Sequence, residues 1–256
     1  MVVKANVEEN TKEVKPKARA SIHNTLLRWF EGQKRGLVLD APAGYGHLSL
    51  RLSEMGYEVT PGEIEPEIFS VPNMKCIYTD LNKEIDAPDN SFDYVCCIDG
   101  LEHMTDSYRA VKEFARVLKP GGCGVFSVPN YNNIEQRFKF LMRGYLEKPV
   151  TYERFHHEGA NLYNFHNSPL TITLLEFMFK INNLDVVEIK ENAPKLKQYF
   201  LLPFVACMWF VNLFLPKKSR EKNRTDLTLK RNVILGGNNL IIITRKNSQD
   251  KKYQVN

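Results

Sequence analysis

The sequence predicts an α/β protein built on a seven-stranded, mostly parallel sheet with helices on both faces, and three observations carry this. Short strand-like apolar runs alternate with helical ones along most of the 256 residues, the pattern of a doubly wound sheet. The first such run, Leu37-Val38-Leu39, is apolar on both faces, as strands inside a parallel sheet are. It ends in Asp40 and turns through Gly44 and Gly46 into a helical segment. Glycines at such a turn let the backbone reverse tightly and approach a ligand where a Cβ would collide.

The remaining elements follow in order. Arg19–Glu31 is helical before the first strand, and His47–Met55 follows the glycine turn with Leu48, Leu52 and Met55 at helical spacing and Gly56 as its stop. Strands are expected at Tyr57–Thr60, Cys76–Asp80 and Phe92–Cys97. Ser107–Leu118 places Val111, Phe114, Ala115 and Leu118 on one helical face, after an Asp106 cap and before a Pro120-Gly121-Gly122 stop. Gly124–Val128 is the fifth strand. A helix is expected to begin at Ser168-Pro169, cap then first-turn proline, and to bury Leu170, Leu174, Phe177 and Ile181. Asp185–Ile189 and Leu240–Thr244 complete the sheet. The chain then divides into a flexible tail over 1–17, one domain over 18–246 and a C-terminal tail over 247–256. Within the domain, 131–167 is a substrate cover and 194–232 a hydrophobic and basic insertion.

Hydrophobic and charged fractions of 43% and 25% are those of a globular domain rather than a disordered or multispanning chain. Residues 1–17 are polar and lack apolar period, so no signal peptide is expected there. The five cysteines include no CxxC pair. Cys96 and Cys97 are adjacent in an apolar strand and so point to opposite faces, as buried free thiols of a reducing cytosol. The net charge is +5, yet nine basic residues against two acidic ones lie between Lys195 and Arg231. The rest of the chain is slightly acidic, which excludes a nucleic-acid surface spread over the domain and favours a local electrostatic contact.

Ligands of such sheets bind outside the carboxyl ends of the strands, where the strand order reverses. Asp40 ends the first strand, Glu63 follows the second, Asp80 ends the third, and Asp99 and Glu102 follow the fourth. One acid at a strand end is ordinary; an acid at four successive ends is a site. A dinucleotide fold needs GxGxxG, but Pro42-Ala43-Gly44-Tyr45-Gly46 is followed by Ser49 in place of a third glycine. An acidic loop also suits a cation better than a pyrophosphate. A ligand with a ribose, an adenine and a sulfonium fits. Glu63 can accept both ribose hydroxyls, each charge-assisted bond worth roughly 1.5–3 kcal/mol, and Asp80 with the Leu81 amide can read an adenine edge.

These motifs, LDAPAGYG, GYEVTPGEIEPE, YTDLN, SFDYVCCIDGLEHM and LKPGGCGVFSVPN, together resemble the class I S-adenosylmethionine-dependent methyltransferases, the broad group that includes the ubiquinone-biosynthesis O-methyltransferases. The resemblance covers about 20–190 and the last strand at 240–246. It implies a Rossmann-like sheet whose last strand is antiparallel, and S-adenosylmethionine as cofactor. It implies that Asp40 and the Ala43–Gly46 turn, with Gly44 and Gly46, lie against the methionyl part. Glu63 would hold the ribose, Asp80 and Leu81 the adenine, and Ile98 would cover the adenine or ribose. Pro42 stands where the family more often has glycine and leaves Gly44 and Gly46 intact.

Methyl transfer is an in-line displacement in which the cofactor supplies the reactivity and the protein the alignment. A base for an acceptor hydroxyl adds about 10²–10⁴ in rate, and His103, directly after Glu102, is the candidate; packing or capping before Asp106 is its plain alternative. Asp99, Glu102 and His103 also resemble the ExxEH set that the ubiquinone O-methyltransferases associate with a divalent metal. Those side chains could hold Mg²⁺ or Zn²⁺, although no metal is expected. The cover carries Tyr131, Arg137, Arg143, Tyr145, Tyr152, Arg154, His156, His157, Tyr163 and His166, a density that suits an anionic or ring-containing substrate and equally a packed lid. His156-His157-Glu158 is not read as a metal cluster, because adjacent histidines rarely chelate one ion.

Tyr199–Leu215 is almost wholly apolar and runs into Pro216-Lys217-Lys218. It falls short of the ~20 residues of a span, and a single crossing would separate two strands of one sheet. An amphipathic or re-entrant hairpin in a membrane interface is expected, with Trp209 and Tyr199 as anchors and the basic residues of 196–231 on anionic headgroups. A buried roof over the site or a dimer contact is the alternative. The sequence thus predicts an O-methyltransferase of a lipid-like or lipid-linked acceptor at the cytoplasmic face of the membrane. A soluble methyltransferase of a sugar or small metabolite, and a non-catalytic scaffold, are its rivals.

Overall fold

The computed structural model describes residues 14–158, 161–193 and 195–248, so 1–13 of the expected N-terminal tail and 249–256 of the C-terminal one lie outside the described residues. The first half of the fold runs α1 (Ala20–Glu31), β1 (Leu37–Asp40), α2 (His47–Glu54), β2 (Glu58–Glu63), β3 (Ile77–Tyr78), β4 (Phe92–Ile98), α3 (Ser107–Val117) and β5 (Leu118–Pro129). Then come α4 (Ile134–Arg143), α5 (Tyr152–His157), α6 (Ile172–Ile181), β6 (Leu184–Asn192), α7 (Leu202–Phe214), α8 (Lys217–Asn223), α9 (Thr225–Thr228), α10 (Arg231–Ile234) and β7 (Asn239–Lys246).

The seven strands form one sheet in the order β3-β2-β1-β4-β5-β7-β6. The five strands β1 to β5 pair in parallel, and β7 runs antiparallel between β5 and β6. The order reverses between β1 and β4, which sets the switch point beside Asp40. Alternation along β1 divides the core. Val38 joins α1 and α2 through Ile22, Leu26, Phe30, Leu48 and Leu52, and Leu39 joins α3 and α6 through Phe114, Met178 and Phe179. Cys96 and Cys97 are both fully buried and fall in these two opposite layers. Among the described residues all five cysteines are free.

Local signals decide most boundaries. The Asp106 carboxylate accepts from the Arg109 amide and caps α3. Pro120-Gly121-Gly122 does not separate α3 from β5; the strand starts at Leu118 and the register shifts between Phe92 and Tyr94, so these residues bulge within it. The third strand is shorter than expected, because Asp80 folds into a turn whose carboxylate accepts from the Asn82 amide.

The helix expected from Ser168-Pro169 begins at Ile172, with Thr171 as its cap, accepting from the Leu174 amide. Ser168 instead spends its amide on the Glu102 carbonyl and its hydroxyl on the Met104 carbonyl. The buried face rotates with the later start. It carries Ile172, Leu175, Met178 and Phe179, while Phe177 and Ile181 are exposed.

The insertion between β6 and β7 is a 3-10 turn over Leu196–Leu201 that continues into α7, then reverses at Leu215-Pro216 into α8. Leu196–Phe214 is long and apolar enough to cross a membrane, yet β6 and β7 are direct neighbours paired up to Asn192 and Asn239. Its inner side packs Val205 on Ile134, Ile234 and Leu235. Trp209, expected as an interfacial anchor, keeps 36% of its surface exposed and donates from its indole N–H to the Leu229 carbonyl. Leu196, Phe200, Phe210, Leu213 and Phe214 face outward, Phe200 with 85% of its surface exposed. Next to them the Phe138 and Phe204 rings meet at 4.9 Å, and α4 adds the exposed Phe140, Leu141 and Met142.

Phe126 lies at the centre of the larger core layer, between Phe114 at 5.7 Å and Phe179 at 4.7 Å, fully buried. Phe126→Ala is expected to cost about 3–5 kcal/mol of stability, read by urea unfolding; a loss under about 1 kcal/mol would contradict this packing.

Candidate functional site

The carboxyl ends of β1, β2 and β4 open into a cavity of about 630 Å³, within the usual range for small-ligand sites. The turn after β1 forms its floor. Gly44, at φ +55°, donates its amide to Glu63 Oε2 at 2.7 Å, and the other Glu63 oxygen accepts from the Ile64 amide at 3.0 Å. Ala43 donates to the Gly62 carbonyl, tying the same turn to β2 again. Gly46, at φ +91°, caps α2 and does not line the cavity. A Cβ there would meet Val71 and Phe69 at 2.5 and 2.6 Å, so its role is to close the turn.

Asp40 is buried at the base of the cavity, and Ser49 Oγ donates to its Oδ2 at 2.6 Å. Burial, with Glu63 adding repulsion against the Ser49 bond, pushes its carboxyl up to about 7. Asp80 lines the opposite end. Burial raises its carboxyl, but the Asn82 amide and Lys83 outweigh this and hold it below the usual range. Asn82 in turn accepts from the amide and hydroxyl of Thr105. It staples the loop after β3 to the start of α3. Ala43, Gly44, Leu81 and Ile98 line the cavity with these acids.

Asp99, in the left-handed region at φ +48°, lines the cavity but spends its carboxylate on the sheet. Its Oδ1 accepts from Ser127 Oγ and from Asn239 Nδ2 at 3.1 Å, so it bridges β4, β5 and β7. Asp99, Glu102 and His103 therefore do not converge as an ExxEH metal set. Glu102 and His103 sit on the 3-10 turn after β4 and line the cavity. His103 donates from Nδ1 to the Phe165 carbonyl at 3.1 Å, and burial lowers its basicity. Glu102 is buried, its carboxyl pushed well up by burial and by Asp99, and neither of its oxygens has a hydrogen-bond partner among the described residues.

The cover closes the cavity with Tyr163 and His166, two of the residues expected there, and with Glu147, which a reading of the sequence did not single out. His166 donates from Nδ1 to Glu147 Oε2 at 3.1 Å, an oxygen that also accepts from Tyr131 at 3.0 Å. The His103 and His166 rings stand edge to face at 4.8 Å. Tyr163 reaches Glu65 beyond β2 at 2.6 Å, and Asn167 donates to the His103 carbonyl. Lys17 and Arg19 line the cavity too, so the last residue of the expected tail belongs to the site. The His156-His157-Glu158 run lies on exposed α5, where Glu158 pairs with Arg154.

Residues 39–126 match a family described as a methyltransferase domain. A ubiquinone biosynthesis O-methyltransferase of Alkalilimnicola ehrlichii is 31% identical over 129 residues, 47% of this chain and 51% of the relative. A demethylmenaquinone methyltransferase of Chlorobaculum parvum is 30% identical over 105 residues, 39% of this chain and 43% of the relative. The chain thus spans about half the length of the curated relatives it matches. A solved S-adenosylmethionine-dependent methyltransferase from Archaeoglobus fulgidus shares the fold with a TM-score of 0.58 at 14% identity, over 88% of this chain and 93% of that one. Residues 39–126 thus match a methyltransferase domain, and the chain around them shares the fold of a solved S-adenosylmethionine-dependent methyltransferase.

Proposed function

We propose that the protein transfers a methyl group from S-adenosylmethionine to a hydroxyl of a lipid-like or lipid-linked acceptor, working at the cytoplasmic face of a membrane. The observation that carries the cofactor half is the buried Glu63 carboxylate, anchored by the Gly44 and Ile64 amides and lining the cavity at the switch point. Each of its oxygens keeps acceptor capacity for a ribose hydroxyl. Leu81, Ile98 and Asp80 provide an adenine end, and Asp40 a negative base beneath the methionyl end. In the reaction an acceptor oxygen attacks the methyl carbon, the carbon–sulfur bond breaks toward sulfur, and the sulfonium becomes a neutral thioether. His103 takes the proton that the acceptor hydroxyl loses, with Glu102 beside it at the same end of the cavity. The cover keeps water from the alignment.

S-adenosylhomocysteine is expected to raise the melting temperature and NAD to leave it unchanged. Glu63→Ala should weaken S-adenosylhomocysteine by about 10-fold or more, the cost of one or two charge-assisted bonds. No shift with either nucleotide would sink the cofactor assignment.

The Asp40 carboxyl supplies a pH test. A folded value near 7, above the ordinary carboxyl value, means the folded protein holds a proton there that the unfolded chain has lost. This group therefore favours the folded state least above pH 7 and increasingly as pH falls toward 4. The cationic cofactor favours the ionised form. Affinity for S-adenosylmethionine relative to the neutral S-adenosylhomocysteine should rise as pH passes from about 6 to 8, measured by titration calorimetry; a ratio that stays flat contradicts a sulfonium beside Asp40.

The membrane half rests on the outward face of α7 and α4. An exposed apolar patch of this kind marks an interaction surface, and Lys217, Lys218 and Lys222 on α8 stand beside it, as an anionic membrane would require. The protein should sediment with phosphatidylglycerol-containing vesicles and less with pure phosphatidylcholine, losing binding in high salt. Phe200→Glu with Leu213→Glu should abolish sedimentation while S-adenosylhomocysteine still binds. Dimerisation through this face without vesicle binding would overturn the membrane reading.

A further inference from the structure

We propose that Glu102, His103 and His166 form a binding site for one divalent transition-metal ion of the zinc type, a site completed by the cover rather than by Asp99. One donor atom from each of the three lies within 4.8 Å of the others. The turn after β4 supplies two and the loop before α6 the third, so the groups meet only in the folded protein. Two independent features point to a cation between them.

The first is Glu102. It is 1% exposed, both its oxygens are without partners, and it lines the cavity. A buried carboxylate needs a compensating positive charge or strong donors, and no lysine or arginine pairs with it among the described residues. The second is the orientation of the two imidazoles. Each turns Nδ1 away to a fixed acceptor, the Phe165 carbonyl for His103 and the Glu147 carboxylate for His166. On His166 this leaves Nε2 as the lone-pair nitrogen; His103 also bonds the Tyr163 backbone, a contact that an ion would replace. Metal-bound histidines are oriented in this way, the outer N–H held by a carbonyl or carboxylate. Tyr131 supports Glu147 from behind.

Two imidazoles and one carboxylate select Zn²⁺, Co²⁺ or Mn²⁺ over Mg²⁺ and Ca²⁺, which prefer all-oxygen shells. When bound, such an ion supplies a Lewis acid to an acceptor oxygen. This role rests on the methyl-transfer reading; the binding itself does not. With His103 on the ion, an acceptor hydroxyl on that ion would lose its proton to water rather than to the imidazole, and the ion would also hold the cover to the β4 end of the sheet. Asp99 takes no part, since Ser127 and Asn239 hold its carboxylate.

The test uses the full chain, stripped with chelator and titrated with Co²⁺ and Zn²⁺. We expect one Co²⁺ per chain, visible by its absorption, displaced by Zn²⁺, and a higher melting temperature with Zn²⁺. Glu102→Gln and His166→Ala should each lose binding, and Glu147→Gln should weaken it about 10- to 100-fold. Asp99→Asn should leave metal affinity unchanged. S-adenosylhomocysteine binding, measured on every variant, reports that each has folded. A stripped protein that binds S-adenosylhomocysteine but no Co²⁺ overturns the metal site alone, and one that binds Co²⁺ but not S-adenosylhomocysteine overturns the methyltransferase reading alone. Loss of Co²⁺ in Asp99→Asn with retention in His166→Ala would also overturn this ligand set.

Discussion

The hydrogen bond from the Gly44 amide to the buried Glu63 carboxylate is the constraint on which the site depends. It joins the turn that launches α2 to the end of β2, two segments whose strands already pair in parallel register from Leu37 with Glu58 to Asp40 with Pro61. The turn is thus held at both ends, by sheet pairing below and by a charge-assisted bond above. Asp40 cannot move toward solvent without breaking its bond to Ser49 on the first turn of α2. Two carboxylates therefore remain in a half-dry cavity, at a cost in stability that a cationic ligand relieves.

A second set of bonds fixes the opposite wall. Ser168 and Asn167 hold the 3-10 turn after β4 through the carbonyls of Glu102, His103 and Met104. The cover is in this sense an extension of the β4 end. Tyr163 carries it across to Glu65, so the β2 and β4 ends of the cavity share one lid.

The sheet and the acids at its strand ends were legible because each acid interrupts an apolar run, and period and punctuation are local signals. The Asp106 cap and the buried face of α3 were readable for the same reason. What escaped depended on distant partners. Ser49 and Asn82 carry no sign in the sequence that they hold Asp40 and Thr105. His166 lies more than sixty residues from His103, and only the folded cover brings the rings together. The start of α6 was misplaced because Ser168 and Thr171 are equally good caps, and the choice fell to tertiary bonds that Ser168 makes elsewhere. Gly46 was expected against the ligand, yet the feature that demands glycine is the packing of Val71 and Phe69.

The pairing of β6 with β7, up to Asn192 and Asn239, makes the whole insertion the loop of one antiparallel hairpin. Closing a loop of roughly 45 residues rather than five costs only about 2 kcal/mol more, because closure entropy grows with the logarithm of length. Such a loop can be lengthened, shortened or exchanged while the strands beneath it keep their register. The limit on that freedom is the return limb: Leu227 and Val233 come back from the loop into the main core, so the outward helix α7 is the part whose length the strands do not feel.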